Sequence, residues 1–310
     1  MDTSPQPNAP RTVYLDVALN DLAAWVAYFR NHDIPVLEST SQALEALREH
    51  EETVNANALA EVIRVDPLMT VKFMAYVAGL RRDADNTETE TVTSALVMSG
   101  IPPFFRRFGP QPTIEDQLLH HPKALALLRE MLRRAERAAH FAMAFAVHRS
   151  DTDAGIIHEA AFLHDFAEML LLCHAPALVV KIRRAQQADP TLRSSVIQRE
   201  VLNIEINDLR QALLKIWRLP ELLIRISDGK HDEHPSVRSV ELATRLARHT
   251  AHGWDNAALP DDINDLAQLL NASPRVALAF LRKVDLGSGE GGLQPAPSSP
   301  DGNAAEGTQG

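Results

Sequence analysis

The feature that most constrains the fold of this chain is the recurrence of apolar residues at helical spacing in one short segment after another. Leu22, Trp25, Val26 and Phe29, for example, follow the i, i+3, i+4, i+7 pattern of one helix face. The segments stop at prolines or polar loops, and no run alternates apolar and polar β-branched residues between turns. With 45% apolar residues, the chain has ample material for a large buried core. The sequence therefore predicts an all-α protein with few or no strands.

Proline and glycine mark most of the expected helix ends, since proline pushes the preceding residue out of helical geometry and glycine favours the C-cap. The predicted helices cover 20–31, 39–49, 57–66, 67–77, 91–99, 102–108, 122–148, 156–174, 179–188, 194–201, 207–219, 221–226, 237–249, 263–270 and 274–284. We expect a flexible segment over 1–13, a helical lobe over 14–109, a second helical lobe over 110–284 and a disordered tail over 285–310. The aromatic segment 102–108 is expected to anchor the core rather than to form a contact patch.

Composition limits the class of partner. The chain has 31 basic and 41 acidic residues, and this acidic balance argues against general nucleic-acid binding because phosphate backbones need a cationic face. Four arginines at helical spacing are expected on a solvated helix face: Arg129, Arg133, Arg134 and Arg137. Because the sequence has no apolar signal core and no membrane-length apolar stretch, we expect a cytoplasmic protein without a membrane contact. Cys173, the one cysteine, lies in an apolar run and should be a buried hydrophobe.

One polar pair, His164 and Asp165, interrupts the most apolar segment of the chain. A buried ionisable group is costly unless it is paired or binds a metal, and adjacent nitrogen and oxygen donors suit a divalent cation. The alternative is a core histidine bonded to a backbone carbonyl, with the aspartate bonded to an arginine. Further ligands would come from other helices, where the available histidines are His140, His148, His158, His231 and His234. His148 and His158 flank a loop and are expected at the surface.

Several blocks, taken in their order, resemble the HDOD family, whose domain is related to the HD metal-dependent phosphohydrolases. The blocks are the Ile-Pro-Val-Leu segment at 34–37, the block 59–70 in which Asp66-Pro67 joins two helices, the Ser-x-x-x-Ala-x-x-x-x-Gly-like helix at 92–100, the His-Asp segment at 160–171, and the Glu-Val-Leu segment at 200–202 with Leu-Leu-Lys-Ile-Trp-Arg-Leu-Pro at 213–220. The resemblance covers roughly residues 33–284. It implies a multi-helix HDOD fold in which an N-terminal helical lobe packs on an HD-like helical lobe.

The same resemblance implies that the metal site of the HD enzymes is degenerate here. The matching positions are Arg137 (with His140 three residues further on), His164, Asp165, Glu168 in place of a lysine, Ile206, His231 and Thr244. If any metal is held, its ligands would be His164, Asp165 and His231, and two or three protein ligands cannot close a structural site. We therefore expect no catalytic residue, no metal and no cofactor, with Arg137 or Arg245 replacing the metal as the counter-charge of Asp165.

The resemblance further implies a non-catalytic regulatory or scaffolding module of bacterial signal transduction. Since no receiver, kinase or cyclase segment is found, we expect it to act through an unknown signalling protein or a small ligand. Two alternatives stay open. A metal-dependent phosphohydrolase with an atypical site would bind iron, manganese or zinc, whereas a cyclic-dinucleotide or nucleotide sensor would need converging arginines. Arg183 with Arg184, or Arg106 with Arg107, are the candidates for such a sensor.

Overall fold

The computed structural model describes residues 13–80, 91–189, 191–228 and 234–290, with only the backbone of 288–290. Across these residues the chain forms 17 helices and, besides them, a single parallel bridge between Val36 and Thr113. The predicted all-α class is therefore confirmed. Residues 1–12, the predicted loop 81–90, the loop that carries His231 and residues 291–310 lie outside the described residues.

The first seven helices form one group, with an aromatic cluster where the fourth helix meets the sixth. They are α1 (Leu22–Arg30), α2 (Glu38–Arg48), α3 (Ala56–Arg64), α4 (Pro67–Leu80), α5 (Val92–Ser99), α6 (Ile101–Arg107) and α7 (Ile114–Gln117). The ring of Phe73 on α4 meets those of Phe104 and Phe108 at centroid distances of 5.4 and 5.9 Å, in edge-on geometry. Because these rings and Phe105 are buried, the prediction that segment 102–108 anchors the core is confirmed.

The junction of α3 and α4 is organised by Asp66, a fully buried carboxylate. Its Oδ1 accepts the backbone N–H groups of Leu68 and Met69 at 2.9 and 3.0 Å, which are first-turn donors of α4 without an intrahelical acceptor. Its Oδ2 accepts the N–H of Leu37 at 2.7 Å, at the start of α2. One side chain thus begins α4 and fixes the entry to α2. Burial raises the pKa of Asp66, against the opposing effect of these three N–H groups.

The remaining ten helices are built around one long helix. They are α8 (Pro122–His148), α9 (Ala154–Phe162), α10 (Phe166–His174), α11 (Pro176–Ala188), α12 (Ser194–Leu202), α13 (Ile206–Ile216), α14 (Glu221–Ile226), α15 (Pro235–His249), α16 (Leu259–Leu269) and α17 (Pro274–Glu290). Helices α9 and α15 pack extensively against α8. The inward face of α8 is rich in alanine, which permits close helix approach: Ala135, Ala138, Ala139, Ala142 and Ala146 are all buried.

The two groups of helices share one continuous hydrophobic core. Helix α1 packs against α13, and the indole Nε1 of Trp25 donates to the carbonyl of Leu202 at 2.9 Å. Near the bridge, the N–H of Val36 donates to the carbonyl of Pro112 at 3.0 Å and the N–H of Ile114 donates to that of Val36 at 2.8 Å. Helix α1 of the first group therefore packs on α13 of the second group.

Several helix boundaries differ from the predicted ones. Helices α11, α15 and α16 begin three, two and four residues before the predicted starts at 179, 237 and 263, because each has a proline in its first turn, where the missing N–H costs nothing. Helix α13 begins at Ile206, so Asn207 lies inside the helix instead of capping it. The short α7 was not predicted.

Two larger corrections concern the second group of helices. The predicted single helix over 156–174 is broken at residues 163–165 into α9 and α10. The predicted disordered tail begins too early, because α17 continues to Glu290 and Asp285 is tied to α8 by Arg137. Within the described residues, no single helix is both long and apolar enough to cross a bilayer, and the one combination that is, Ala154–His174 with Pro176–Ala188, bends by 119°.

Candidate functional site

The break between α9 and α10 positions the His164–Asp165 pair. After Phe162 the chain leaves the α-helix, with the N–H of His164 bonded to the carbonyl of Ala161 three residues back. The carbonyl of His164, which an unbroken helix would use, accepts instead from Arg210 of α13 at 3.0 Å. Asp165 then occupies the N-cap position of α10 without bonding its first-turn amides. Both side chains are thereby free to face neighbouring helices.

Asp165 is held by two partners. Its Oδ2 accepts from Nε and a terminal nitrogen of Arg134 on α8, at 3.0 and 2.5 Å. Its Oδ1 lies 2.7 Å from Nδ1 of His164. Burial by itself would raise the pKa of Asp165, but the charge of Arg134 and the bond to His164 hold it well below the ordinary value. The carboxylate is thus ionised and both of its oxygens are engaged.

His164 is held in the neutral form by its surroundings. Burial lowers its pKa, and repulsion from Arg210 adds to that effect, whereas the bond to Asp165 opposes it. Arg210 itself is buried and donates to Asn207 Oδ1 and the carbonyl of Ser227, in addition to the carbonyl of His164. Burial lowers its pKa to about 10, so it remains charged at neutral pH.

A second carboxylate lies one helical turn further along α10. Glu168 is bonded to Arg183 of α11 at 3.3 Å, and burial raises its pKa while the charges of Arg183, Arg134 and Arg248 lower it. Arg248, in the last turn of α15, is exposed. Burial of part of its guanidinium and repulsion from Arg134 and Arg183 lower its pKa. Asp165 and Glu168 therefore lie among arginines from α8, α11 and α15.

A family model described as HDOD domain matches residues 34–233. The chain belongs to the HDOD family. Among solved structures, the MmoQ response regulator from Methylococcus capsulatus str. Bath is similar at a TM-score of 0.62 and 18% identity, over 80% of this chain and 98% of that one. A virulence factor from Campylobacter jejuni subsp. jejuni is similar at 0.57 and 15%, over 86% and 99%. Identities this low show the fold alone. A sequence search of curated proteins gives no match.

In this HDOD protein the predicted counter-charges of Asp165 were wrong. Arg137 donates to Asp285 Oδ1 at 2.9 Å and to Thr250 Oγ1 at 2.9 Å, and Arg245 pairs with Asp262 and Asp265 on α16. The counter-charge of Asp165 is Arg134, one turn earlier on α8. The prediction that Arg134 lies on a solvated helix face with Arg129, Arg133 and Arg137 is therefore wrong for Arg134. Arg134 and Arg137 both point inward.

The other predicted positions of the HDOD site are dispersed. His140 is exposed. His158 was expected at the surface but is partly buried, and burial together with repulsion from His140 lowers its pKa to about 4. Thr244 donates to the carbonyl of Glu241 on its own helix. Ile206 begins α13 and donates its N–H to Gln198. His231 lies outside the described residues. Of the predicted set, the structure brings together His164, Asp165 and Glu168.

The functional residues that sequence reasoning missed are Arg134, Arg210 and Arg248. Arg210 stands between Leu209 and Gln211 on the buried side of α13, but with a polar glutamine as one neighbour the sequence gives no sign that this arginine is buried. Of the proposed arginine pairs, Arg183 joins the site while Arg184 is exposed. Cys173 is buried, as predicted, and burial raises the pKa of its thiol.

The placed residues do not fit a metal ion. A cation at Asp165 would have to displace Arg134 or His164, because each carboxylate oxygen already has a close partner. In the described part of the chain, no group of three or more His, Cys, Asp or Glu side chains is placed to hold a metal. An open cavity of about 670 Å³ lies elsewhere, between α16 and α17, lined in part by Trp254, Leu278 and Arg282.

Proposed function

We propose that this HDOD protein is a regulatory module of bacterial signal transduction that acts by binding rather than by catalysis. The family membership and the similarity to a protein described as a response regulator support a regulatory role. The observation that carries the non-catalytic part is the ion pair between Arg134 and Asp165, which places a guanidinium on the carboxylate that a metal would need.

The physical reason is electrostatic. A divalent cation gains its affinity from anionic and neutral donors, and a fixed positive charge on the same carboxylate opposes its binding. Hydrolysis at an HD-type centre also needs a metal-activated water, for which an open coordination position is required. Arg134 pairs with the charge of Asp165 but supplies neither a metal ligand nor an activated water. The module would then transmit a signal through a partner protein or a small ligand.

The test is metal analysis of the purified protein combined with hydrolysis assays on nucleotides and cyclic dinucleotides. We expect substoichiometric iron, manganese and zinc after growth in metal-supplemented medium, and no turnover. As a matched pair, His164→Ala and the exposed His148→Ala should leave metal content and background hydrolysis equal to those of the unmodified protein. One stoichiometric ion whose loss in His164→Ala abolishes turnover would refute the proposal.

A further inference from the structure

The open cavity between α16 and α17 lies outside the residues that the HDOD family model matches. That match ends at residue 233, whereas every residue that lines the cavity falls between Trp254 and Arg282. The volume of about 670 Å³ is in the range of pockets that hold small molecules. The match to the family therefore does not account for this cavity, which needs an explanation from its own residues.

Much of the cavity wall is apolar. Leu259 and Ile263 of α16 and Leu278 of α17 line it, together with Trp254 in the loop before α16. The two α16 residues are buried, but Trp254 and Leu278 remain partly exposed to solvent. Covering such a wetted apolar wall with an apolar group is favourable, because it removes apolar surface from water. The wall therefore suits the apolar body of a ligand.

Two arginines of α17 border the apolar wall. Arg275 and Arg282 share one face of the helix with Leu278, at i, i+7 and i+3, and both are exposed. The central guanidinium carbon of Arg282 lies 5.3 Å from the ring centroid of Trp254. Within the described residues, neither guanidinium forms a hydrogen bond or an ion pair, and Asp255 supplies the one carboxylate of the lining. The lining thus carries two positive charges against one negative charge.

We propose that this cavity binds a small organic carboxylate that has an apolar body. Its carboxylate would accept from Arg275 and Arg282, since guanidinium groups match carboxylates through paired N–H donors. Its body would cover Leu278 and Trp254. An apolar cation would meet the two arginines, and a small inorganic anion would leave the wall uncovered. The inference goes beyond the proposed function and does not depend on the absence of a metal at Asp165.

The test is titration calorimetry of the full chain with three probes at constant ionic strength. Octanoate has both the charge and the apolar body, 1-octanol has the body alone, and acetate has the charge alone. We expect saturable binding of octanoate, with 1-octanol and acetate each roughly tenfold weaker or more, because each lacks one of the two contributions. Octanoate should also raise the Tm of the protein.

Matched variants locate the bound carboxylate. Arg275→Gln and Arg282→Gln should each weaken octanoate binding roughly tenfold, as loss of a charge-assisted hydrogen bond does. Lys283→Gln removes an exposed positive charge of the same helix that does not line the cavity, and its affinity should stay within about twofold of the unmodified one. Arg282→Lys keeps the positive charge near Trp254 and should retain more affinity than Arg282→Gln. Because the substituted side chains are exposed, the Tm without ligand should be nearly unchanged.

Tryptophan emission gives the position of the ligand. Octanoate should change the emission of the unmodified protein and leave that of Trp254→Phe unchanged, since Trp25 and Trp217 do not line the cavity. An emission change that persists in Trp254→Phe would overturn the site. Equal binding of octanoate and 1-octanol, or equal losses in Lys283→Gln and Arg275→Gln, would overturn the role of the arginines.

Two other occupants of the cavity are separate outcomes of the same experiment. Leu293 is the one bulky apolar residue of the segment 291–310. If that segment filled the cavity, Leu293→Ser would strengthen octanoate binding, whereas we expect no change. If a second copy of the chain covered it, octanoate would dissociate an oligomer in sedimentation experiments, whereas we expect the same mass with and without octanoate. Either contrary result would overturn the small-molecule ligand and leave the metal analysis of the proposed function unaffected.

Discussion

Two aspartates, one fully buried in the first group of helices and one partly buried in the second, are stabilised by different partners. Asp66 is surrounded by three backbone N–H groups, and burial raises its pKa. Asp165 is paired with a guanidinium and an imidazole, and its pKa is held low. Amide dipoles compensate a buried charge only in part, whereas a full opposite charge at hydrogen-bonding distance outweighs the burial.

The difference separates a structural carboxylate from a candidate functional one. Asp66 uses its hydrogen bonds at the starts of two helices, so its consequences remain in the fold. Asp165 is paired with Arg134, and one turn further along α10 Glu168 is paired with Arg183. An ion pair cancels the net charge of the carboxylate, whereas neutral amides leave that charge in place when the group is ionised.

The largest effect is expected from Asp66→Ala. Three buried or partly buried N–H groups lose their acceptor, and at about 1–3 kcal/mol for each unsatisfied group the loss of unfolding free energy should be roughly 5 kcal/mol. Urea denaturation measures it. Asp21→Ala, which removes the exposed N-cap of α1 bonded to Ala24, is the matched control and should cost about 1 kcal/mol. Equal losses would mean that burial of Asp66 adds nothing.

A somewhat smaller effect is expected from Arg134→Met. Removing one member of this partly buried ion pair leaves the other without its partner, at a cost of about 3 kcal/mol, the low end for buried pairs. The neighbouring exposed Arg133→Met should change stability by less than about 0.5 kcal/mol. In a double-mutant cycle with Asp165→Asn, the two losses should be strongly non-additive. Simple additivity would contradict the direct coupling that distinguishes Asp165 from Asp66.

A third buried carboxylate, Glu159, sharpens the comparison because its Oε1 has neither an amide nor a guanidinium partner among the described residues. Burial raises its pKa to about 7, with only partial opposition from Arg64. The folded state therefore binds the proton more tightly than the unfolded state. The stabilising contribution is complete below pH 4.5 and is lost as the pH rises from there through about 7, by up to about 3 kcal/mol.

The check is the unfolding free energy of the unmodified protein and of Glu159→Gln between pH 5 and pH 8. As the pH rises, the unmodified protein should lose unfolding free energy relative to Glu159→Gln, because glutamine does not ionise. The pKa values of His158 and His174 are lowered to about 4 by burial, and their opposite pH dependence cancels because both proteins contain them. As the control, Glu136→Gln at an exposed position of α8 should show the same pH dependence of the unfolding free energy as the unmodified protein.

The sequence predicted the site less completely than the fold. Local pattern located His164 and Asp165, because an ionisable pair inside an apolar run is visible without coordinates, whereas Glu168 was identified only through the resemblance to the HDOD family. The counter-charge was misassigned by one turn, from Arg134 to Arg137, since both lie on the inner side of α8 and only the position of Asp285 decides between them. For residues far apart in sequence, such as Arg134 and Asp165, no local pattern shows that their side chains are in contact.

By itself, the sequence determined the all-α class, the order of the long helices, the aromatic anchor at 102–108 and the Asp66–Pro67 junction. These follow from periodicity, proline geometry and capping, which act over a few residues. Tertiary structure decided the break of the predicted helix at 163–165, because Arg210 supplies a donor to the His164 carbonyl from α13. It also decided which arginine pairs with Asp165. Charges interact through space rather than along the chain, so the packing of α8, α11 and α15 fixes their partners.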